Sequence, residues 1–184
     1  NGKCILTEKD HQTGTDRIFE AYKKLDIKDV DYIINLQGDE PMIDIEDIKN
    51  LNSNGIKYKS EIATLACKIK DKNILNQSNI VKVITDEKIS KENMSRANTF
   101  SRKISFNYNA NIYHHIGIYM YKVSILEKLV NLKQSKNEID HRLEQLRAID
   151  NNMKINVILA NSSPIGVDTE EDFLELKKIM NYKK

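Results

Sequence analysis

Tryptophan is absent, and only two prolines, two cysteines and six glycines punctuate the 184 residues. The glycines stand at Gly2, Gly14, Gly38, Gly55, Gly117 and Gly166, too far apart for G-x-G-x-x-G or G-x-x-x-x-G-K spacing. That excludes a standard dinucleotide-binding turn and a Walker-type phosphate loop, so any bound nucleotide must have its phosphates held by other groups. C-x-x-C and H-E-x-x-H are both missing, which argues against a structural or proteolytic zinc site. Cys4 and Cys67 are isolated within apolar runs, a pattern that predicts buried thiols in a reducing compartment and no disulfide. No apolar stretch approaches the ~20 residues that span a bilayer, and no signal-peptide pattern opens the chain, so no membrane partner is expected. The 29 basic and 27 acidic residues nearly cancel, leaving a net charge of +2. They form no basic block or basic stripe with interleaved aromatics, so nucleic acid is not an expected partner.

The hydrophobic content of 40% suffices for a real core, and residues 1–184 read as a single domain. Strand-like runs alternate with helix-like ones. Strands are expected over 3–7, 31–36, 61–67, 80–85, 115–121 and 155–160, and helices over 15–26, 44–52, 124–132, 138–150 and 169–180. "DYIINL" (31–36) is apolar on both faces, as a central strand of a covered sheet should be. Residues 86–114 are polar and read as an irregular excursion. This order predicts an α/β fold: a mostly parallel sheet with helices on both faces. The chain opens at Asn1, with no methionine, directly on a strand-like run, which suggests that an N-terminal portion is missing.

Ligands of open α/β sheets bind beyond the carboxyl ends of the strands. "NLQGDEPMI" (35–43) occupies such an end. Gly38 permits close backbone approach, Pro41 stiffens the turn, and Asp39 offers a hard oxygen that suits Mg²⁺. A plain turn in which Asp39 bonds its own backbone fits the same residues. In "GVDTEED" (166–172), Thr169 and Asp172 form a capping-box pattern that explains the acidic cluster, while Asp168 sits just before the helix, either as a cap or as a second strand-end metal ligand. In "HIGIYMY" (115–121), alternation places Ile116, Ile118 and Met120 on a core face. His115, Gly117, Tyr119 and Tyr121 share the other, with room for a ligand over Gly117. His114 points to the opposite side, outside any site. In "EIDHRLEQLRAID" (138–150), Ile139, Leu143 and Leu146 form the expected buried stripe, flanked by Glu144 and Gln145. Arg96 and Arg17 are the best anion partners, because guanidinium matches carboxylate and phosphate oxygens; a surface charge is the plain alternative for each.

Taken in order, "DHQTGTDRIFEA", "NLQGDEPMI", "SRA", "HIGIYMY", "LEQLRAI" and "GVDTEEDFLELK" resemble the 3-deoxy-manno-octulosonate (Kdo) cytidylyltransferases, or CMP-Kdo synthetases, from residue 10 to about 180. The resemblance implies a Rossmann-like nucleotidyltransferase sheet in a cytoplasmic enzyme. It implies joining of CTP and Kdo into CMP-Kdo with release of pyrophosphate, for lipopolysaccharide biosynthesis. It further implies Mg²⁺ as cofactor, a homodimer, and Asp39 and Asp168 as the catalytic, metal-binding pair. By the same resemblance Gln37, Arg96, His115, Tyr119, Glu144 and Gln145 surround the sugar acid. Thr13, Gly14 and Thr15, with Arg17 behind them, help form the cytidine pocket.

The chain departs from the family in three places. Nothing here corresponds to the Arg/Ser/Lys-rich loop that grips the triphosphate, so residues 1–184 alone are expected to bind CTP poorly and turn over little. After "SRA" the family usually continues "TIPW", whereas this chain has Asn98-Thr99-Phe100, and His141 stands where an acid is usual, leaving an 8-amino variant of Kdo open as the sugar. A CMP-sialic acid synthetase-like enzyme and a non-catalytic sugar- or nucleotide-binding remnant are the competing readings. A metal-dependent glycosyltransferase would show Asp-x-Asp, which Asp39-Glu40-Pro41 does not supply.

Overall fold

The computed structural model describes residues 2–104, 111–161, 166–167 and 169–179. In chain order these form α1 (Gly14–Leu25), β1 (Tyr32–Asn35), α2 (Ile45–Lys57), β2 (Ile62–Lys68), β3 (Lys82–Thr85), β4 (Ser95–Ser101), β5 (Asn111–Lys122), α3 (Val123–Val130), α4 (Lys136–His141), α5 (Gln145–Asp150), β6 (Ile155–Leu159) and α6 (Glu170–Ile179), with a short 3-10 helix at Lys72–Asn76.

β2 lies at the centre, and its alternation organises the two faces. Ile62 and Ala66 join a cluster with Tyr119, Tyr121, Leu126, Leu129, Leu143 and Leu146, covered by α3 and α5. Ala63, Leu65 and Cys67 join Ile116, Ile118, Met120 and Ile158 on the opposite face, where Leu51 of α2 covers them. α2 can approach that closely because Gly55 has no side chain: a Cβ there would stand 2.4 Å from the Met120 sulfur. The alternation expected for "HIGIYMY" therefore holds, with its aliphatic residues on one face and its aromatics on the other.

The strand order is β1-β5-β2-β6-β4-β3, with β3 also pairing with β5. The sheet is mixed, not mostly parallel as the element order suggested. Among the described residues only β2 and β6 pair in parallel, and the other pairings are antiparallel. The reason lies in β5. β1 and β2 run the same way, as a βαβ connection requires, but β5 slides between them in the opposite direction. β1 thus becomes an edge strand of the described sheet, half-buried along its length, and "DYIINL" is not central.

Other expectations change with it. The segment 86–114, read as irregular, contains β4 and the start of β5, whereas 105–110 lies outside the described residues. Residues 3–7 form no strand, and Cys4 is consequently exposed; Cys67 is buried as expected. The helix read over 138–150 is broken into α4 and α5 by Arg142, whose left-handed backbone (φ 52°, ψ 50°) ends α4. That break rotates the pattern: Ile139 is 58% exposed, and Glu138 and Arg147 take the buried positions beside Leu143 and Leu146. No helix among the described residues is long and apolar enough to cross a membrane.

Candidate functional site

The register of β1 on β5 sets Asn35 opposite Tyr119. Continuing past the end of β1 brings Gln37 alongside Gly117, where a Cβ would lie 3.8 Å from the Gln37 amide. The space over Gly117 is thus roofed by Gln37. β5 bulges at this point, since Thr64 of β2 faces Tyr119 while Leu65 faces Ile116. The Thr64 hydroxyl fills the bulge, 2.8 Å from the Ile118 carbonyl, 3.2 Å from that of Ile116 and 3.0 Å from Nε2 of His115. The hydroxyl has one proton, and carbonyls can only accept. It therefore donates to a carbonyl and accepts from His115, which places the imidazole proton on Nε2 and leaves Nδ1 an acceptor.

Asn35, Gln37, His115, Gly117 and Tyr119 line a cavity of about 640 Å³, together with Thr15, Asp39, Arg102, His114, Tyr121, Arg142, Glu144, Gln145 and Asp172. Aromatic rings line one side: His115 and Tyr119 have centroids 5.4 Å apart, and Tyr119 stacks on Tyr121 at 5.6 Å. Burial drives the His115 pKa down to about 3, so the ring is neutral. Burial likewise raises Tyr119 and Tyr121 above the ordinary phenol value, so both keep their protons. The buried Tyr119 hydroxyl has no hydrogen-bond partner of good geometry among the described residues, although the Thr64 hydroxyl lies close enough to influence it.

Glu144 faces the first turn of α1. Thr13 caps that helix by accepting from the Asp16 amide, and the Thr15 amide donates to Glu144 Oε1 at 3.3 Å. Burial nevertheless pushes the Glu144 pKa up to about 7, outweighing the Thr13 and Thr15 hydrogen bonds and the nearby Arg147 charge. The folded state thus holds this proton more tightly than the unfolded chain. The corresponding stability is fully present below pH ~4.5 and is lost as pH rises through ~7. Chemical denaturation should show the protein losing ~1–3 kcal/mol between pH ~5 and ~8 relative to Glu144→Gln; parallel pH profiles would contradict this.

The residues singled out by sequence divide clearly. Gln37, Asp39, His115, Tyr119, Glu144, Gln145 and Thr15 meet in the cavity. Arg96 does not line it. It alternates with Ala97, which joins the core cluster of Tyr119 and Tyr121, so Arg96 points to the other, exposed face. Arg17 is also elsewhere, donating to the Thr7 hydroxyl at 2.6 Å and the Glu8 carbonyl at 2.8 Å to brace the N-terminal segment. Thr13 and Gly14 shape the α1 terminus without lining the cavity. His114, assigned to the opposite side, lines the cavity.

The cations the sequence reading missed are Arg102 and Arg142. Arg102 donates to the carbonyls of Ser78 (3.1 Å), His141 (3.2 Å) and Arg142 (3.1 Å), which leaves two of its five N–H groups over. The signal for Arg102 was its place at the end of β4, next to "NTF". That for Arg142 was invisible, because it depends on the helix break.

Asp168 lies outside the described residues, so its carboxylate is not placed. Its neighbours are: the Val167 amide donates to the Asp39 carbonyl at 2.9 Å, and Gly166 faces the same oxygen. Thr169 and Asp172 exchange hydrogen bonds at 2.9 and 3.2 Å in the reciprocal pattern the capping box requires. Among the described residues no group of three or more His, Cys, Asp or Glu is arranged to hold a metal. Asp39 is the exposed carboxylate at the β1 end, which fits Mg²⁺, an ion that commonly takes one or two carboxylates and completes its shell with water and substrate phosphate oxygens.

A family model described as Cytidylyltransferase matches residues 1–155. A 3-deoxy-manno-octulosonate cytidylyltransferase of Bartonella henselae is 40% identical over 179 residues, covering 97% of this chain and 73% of the relative. One from Francisella tularensis subsp. holarctica is 41% identical over 185 residues, covering 97% and 74%. A solved CMP:2-keto-3-deoxy-manno-octonic acid synthetase complexed with CTP superposes with a TM-score of 0.85 at 32% identity, over 98% of this chain and 73% of that one. An apo UDP-glucose pyrophosphorylase, 15% identical with a TM-score of 0.61, shares the fold alone.

Proposed function

The chain belongs to the 3-deoxy-manno-octulosonate cytidylyltransferase family, and on that premise we propose that its cavity is where Kdo meets CTP. The enzyme transfers the cytidylyl group of CTP to Kdo, giving CMP-Kdo and pyrophosphate. The anomeric hydroxyl of the sugar gives up its proton to solvent as its oxygen forms a bond to the α-phosphorus; the bond from that phosphorus to the bridging oxygen breaks, and pyrophosphate leaves with the electron pair. Reactions of this kind depend chiefly on alignment and charge neutralisation.

The observation that carries the assignment to this cavity is the meeting, in one space, of neutral hydrogen-bonding groups and unspent guanidinium donors. His115 offers Nδ1 as an acceptor, and Tyr119 keeps its proton, with no hydrogen bond of good geometry among the described residues. Gln37, Gln145 and Glu144 add further polar tips. Such a set suits the hydroxyls of a polyol, and a site built to hydrogen-bond hydroxyls discriminates strongly against analogues that lack them. Arg102 and Arg142 suit the sugar carboxylate. In this reading they take the role that the resemblance gave to Arg96. Asp39, with Asp168, would hold Mg²⁺, whose chemistry when bound is to neutralise phosphate charge and acidify the attacking hydroxyl.

Arg102→Met tests the carboxylate assignment. Loss of a charge-assisted contact should weaken Kdo binding ~10- to 100-fold in calorimetry, with CTP affinity held within ~2-fold. Unchanged Kdo binding would place the carboxylate elsewhere.

A further inference from the structure

Lys82 is the largest side chain among the described residues with no solvent exposure, at 0%. It lies on β3, paired with His114 on one side and Ser101 on the other. Its Nζ donates to three carbonyl oxygens: Gln77 at 2.6 Å, Ile80 at 2.7 Å and Arg102 at 2.7 Å. Carbonyls can only accept, so three such bonds need three N–H donors, and only the ammonium form supplies them. Lys82 is therefore a buried cation with every proton committed. An apolar side chain could fill the same volume without desolvating a charge, but it would orphan three backbone acceptors.

What those carbonyls belong to matters. Gln77 and Ile80 bracket the turn that leads into β3, and Asn79, Ile80 and Val81 of that turn line the cavity. The third carbonyl is that of Arg102 itself, whose guanidinium reaches back to Ser78 in the same turn. Backbone and side chain of Arg102 are thus pinned to one turn, with Lys82 at its centre.

We propose that Lys82 is a positioning residue for sugar-acid binding: it never touches the substrate, but fixes the Arg102 guanidinium and the 77–80 turn in the conformation that receives a carboxylate. This rests on the reading of Arg102 given above. The three carbonyls hold the ammonium, the ammonium holds the Arg102 backbone, and the side chain is then committed to the edge of the cavity.

A double-mutant cycle tests it. Calorimetric affinities for Kdo and for CTP are measured, in the protein expressed from its whole gene, for the wild type, Lys82→Met, Arg102→Met and the double variant. Lys82→Met should weaken Kdo binding ~10-fold while CTP affinity stays within ~2-fold, and the double variant should be no weaker than Arg102→Met alone. A merely structural lysine would lower both affinities alike, or add its effect to that of Arg102→Met, and either result overturns the proposal. Should Lys82→Met fail to fold, Lys82→Arg takes its place. It keeps the charge but cannot present three protons from one nitrogen, so a partial loss of Kdo affinity at constant CTP affinity is expected, and unchanged Kdo affinity overturns the proposal. Wild-type protein that does not bind Kdo would remove the reading of Arg102 itself; wild-type binding together with unchanged binding by Lys82→Met removes only the role of Lys82.

Discussion

Asp39→Asn, in the protein expressed from its whole gene, is expected to lower turnover ~1,000-fold or more while leaving the fold unchanged. The two halves of that expectation come from different atoms of one residue. The backbone carbonyl of Asp39 accepts the Val167 amide and so ties the end of β1 to the segment before α6. The carboxylate is exposed. Asparagine keeps the shape and the carbonyl but removes the charge that a magnesium–triphosphate complex would meet. Metal-assisted charge neutralisation is worth several kcal/mol at the transition state, which is the basis for the size of the effect. Thermal unfolding should shift by less than ~0.5 kcal/mol, as for other exposed substitutions. Near-normal turnover would remove Asp39 from the metal site and with it the assigned pair.

Arg147→Met is expected to produce the largest loss of stability, ~3–5 kcal/mol in chemical denaturation. Arg147 and Glu138 are each 3% exposed. They form a two-pronged pair, Nε to Oε2 at 2.8 Å and Nη2 to Oε1 at 2.6 Å. Burial would raise the Glu138 carboxyl, but the bonds from Arg147 and Gln134 outweigh it and hold it below the usual range. Removing the arginine alone strands that carboxylate. Replacing both partners, as in Glu138→Leu with Arg147→Met, should recover most of the loss, because two apolar side chains need no compensation. Equal destabilisation by the single and double variants would contradict the explanation. Arg147 also lies 3.8 Å from Asp16 in the first turn of α1. The pair therefore links α4 and α5 to the helix end that holds Glu144.

Much of the site could be read from the sequence because it depends on local pattern. Strand alternation separated Ile116, Ile118 and Met120 from His115, Tyr119 and Tyr121, and the glycine and proline of "NLQGDEPMI" marked the end of β1. What could not be read depends on contacts distant along the chain. The direction of β5 is set by its insertion between β1 and β2, which no periodicity encodes, and that insertion turned a parallel expectation into a mixed sheet. The left-handed Arg142 breaks a helix that periodicity predicts as continuous, exchanging Ile139 for Glu138 in the interior and bringing Arg142 to the cavity. Arg96 and Arg102 are both arginines of β4 or its end. Only the core position of Ala97 and the bond from Lys82 to the Arg102 carbonyl distinguish the one that lines the cavity from the one that does not.

The most direct measurement is pyrophosphate release by the protein expressed from its whole gene, with CTP and Mg²⁺, comparing Kdo with a sialic acid as acceptor. Release that depends on Kdo, with CMP-Kdo as the second product and little or none with the sialic acid, is the predicted result. Release with the sialic acid in preference to Kdo, or none with either, would contradict cytidylyl transfer to Kdo at this cavity.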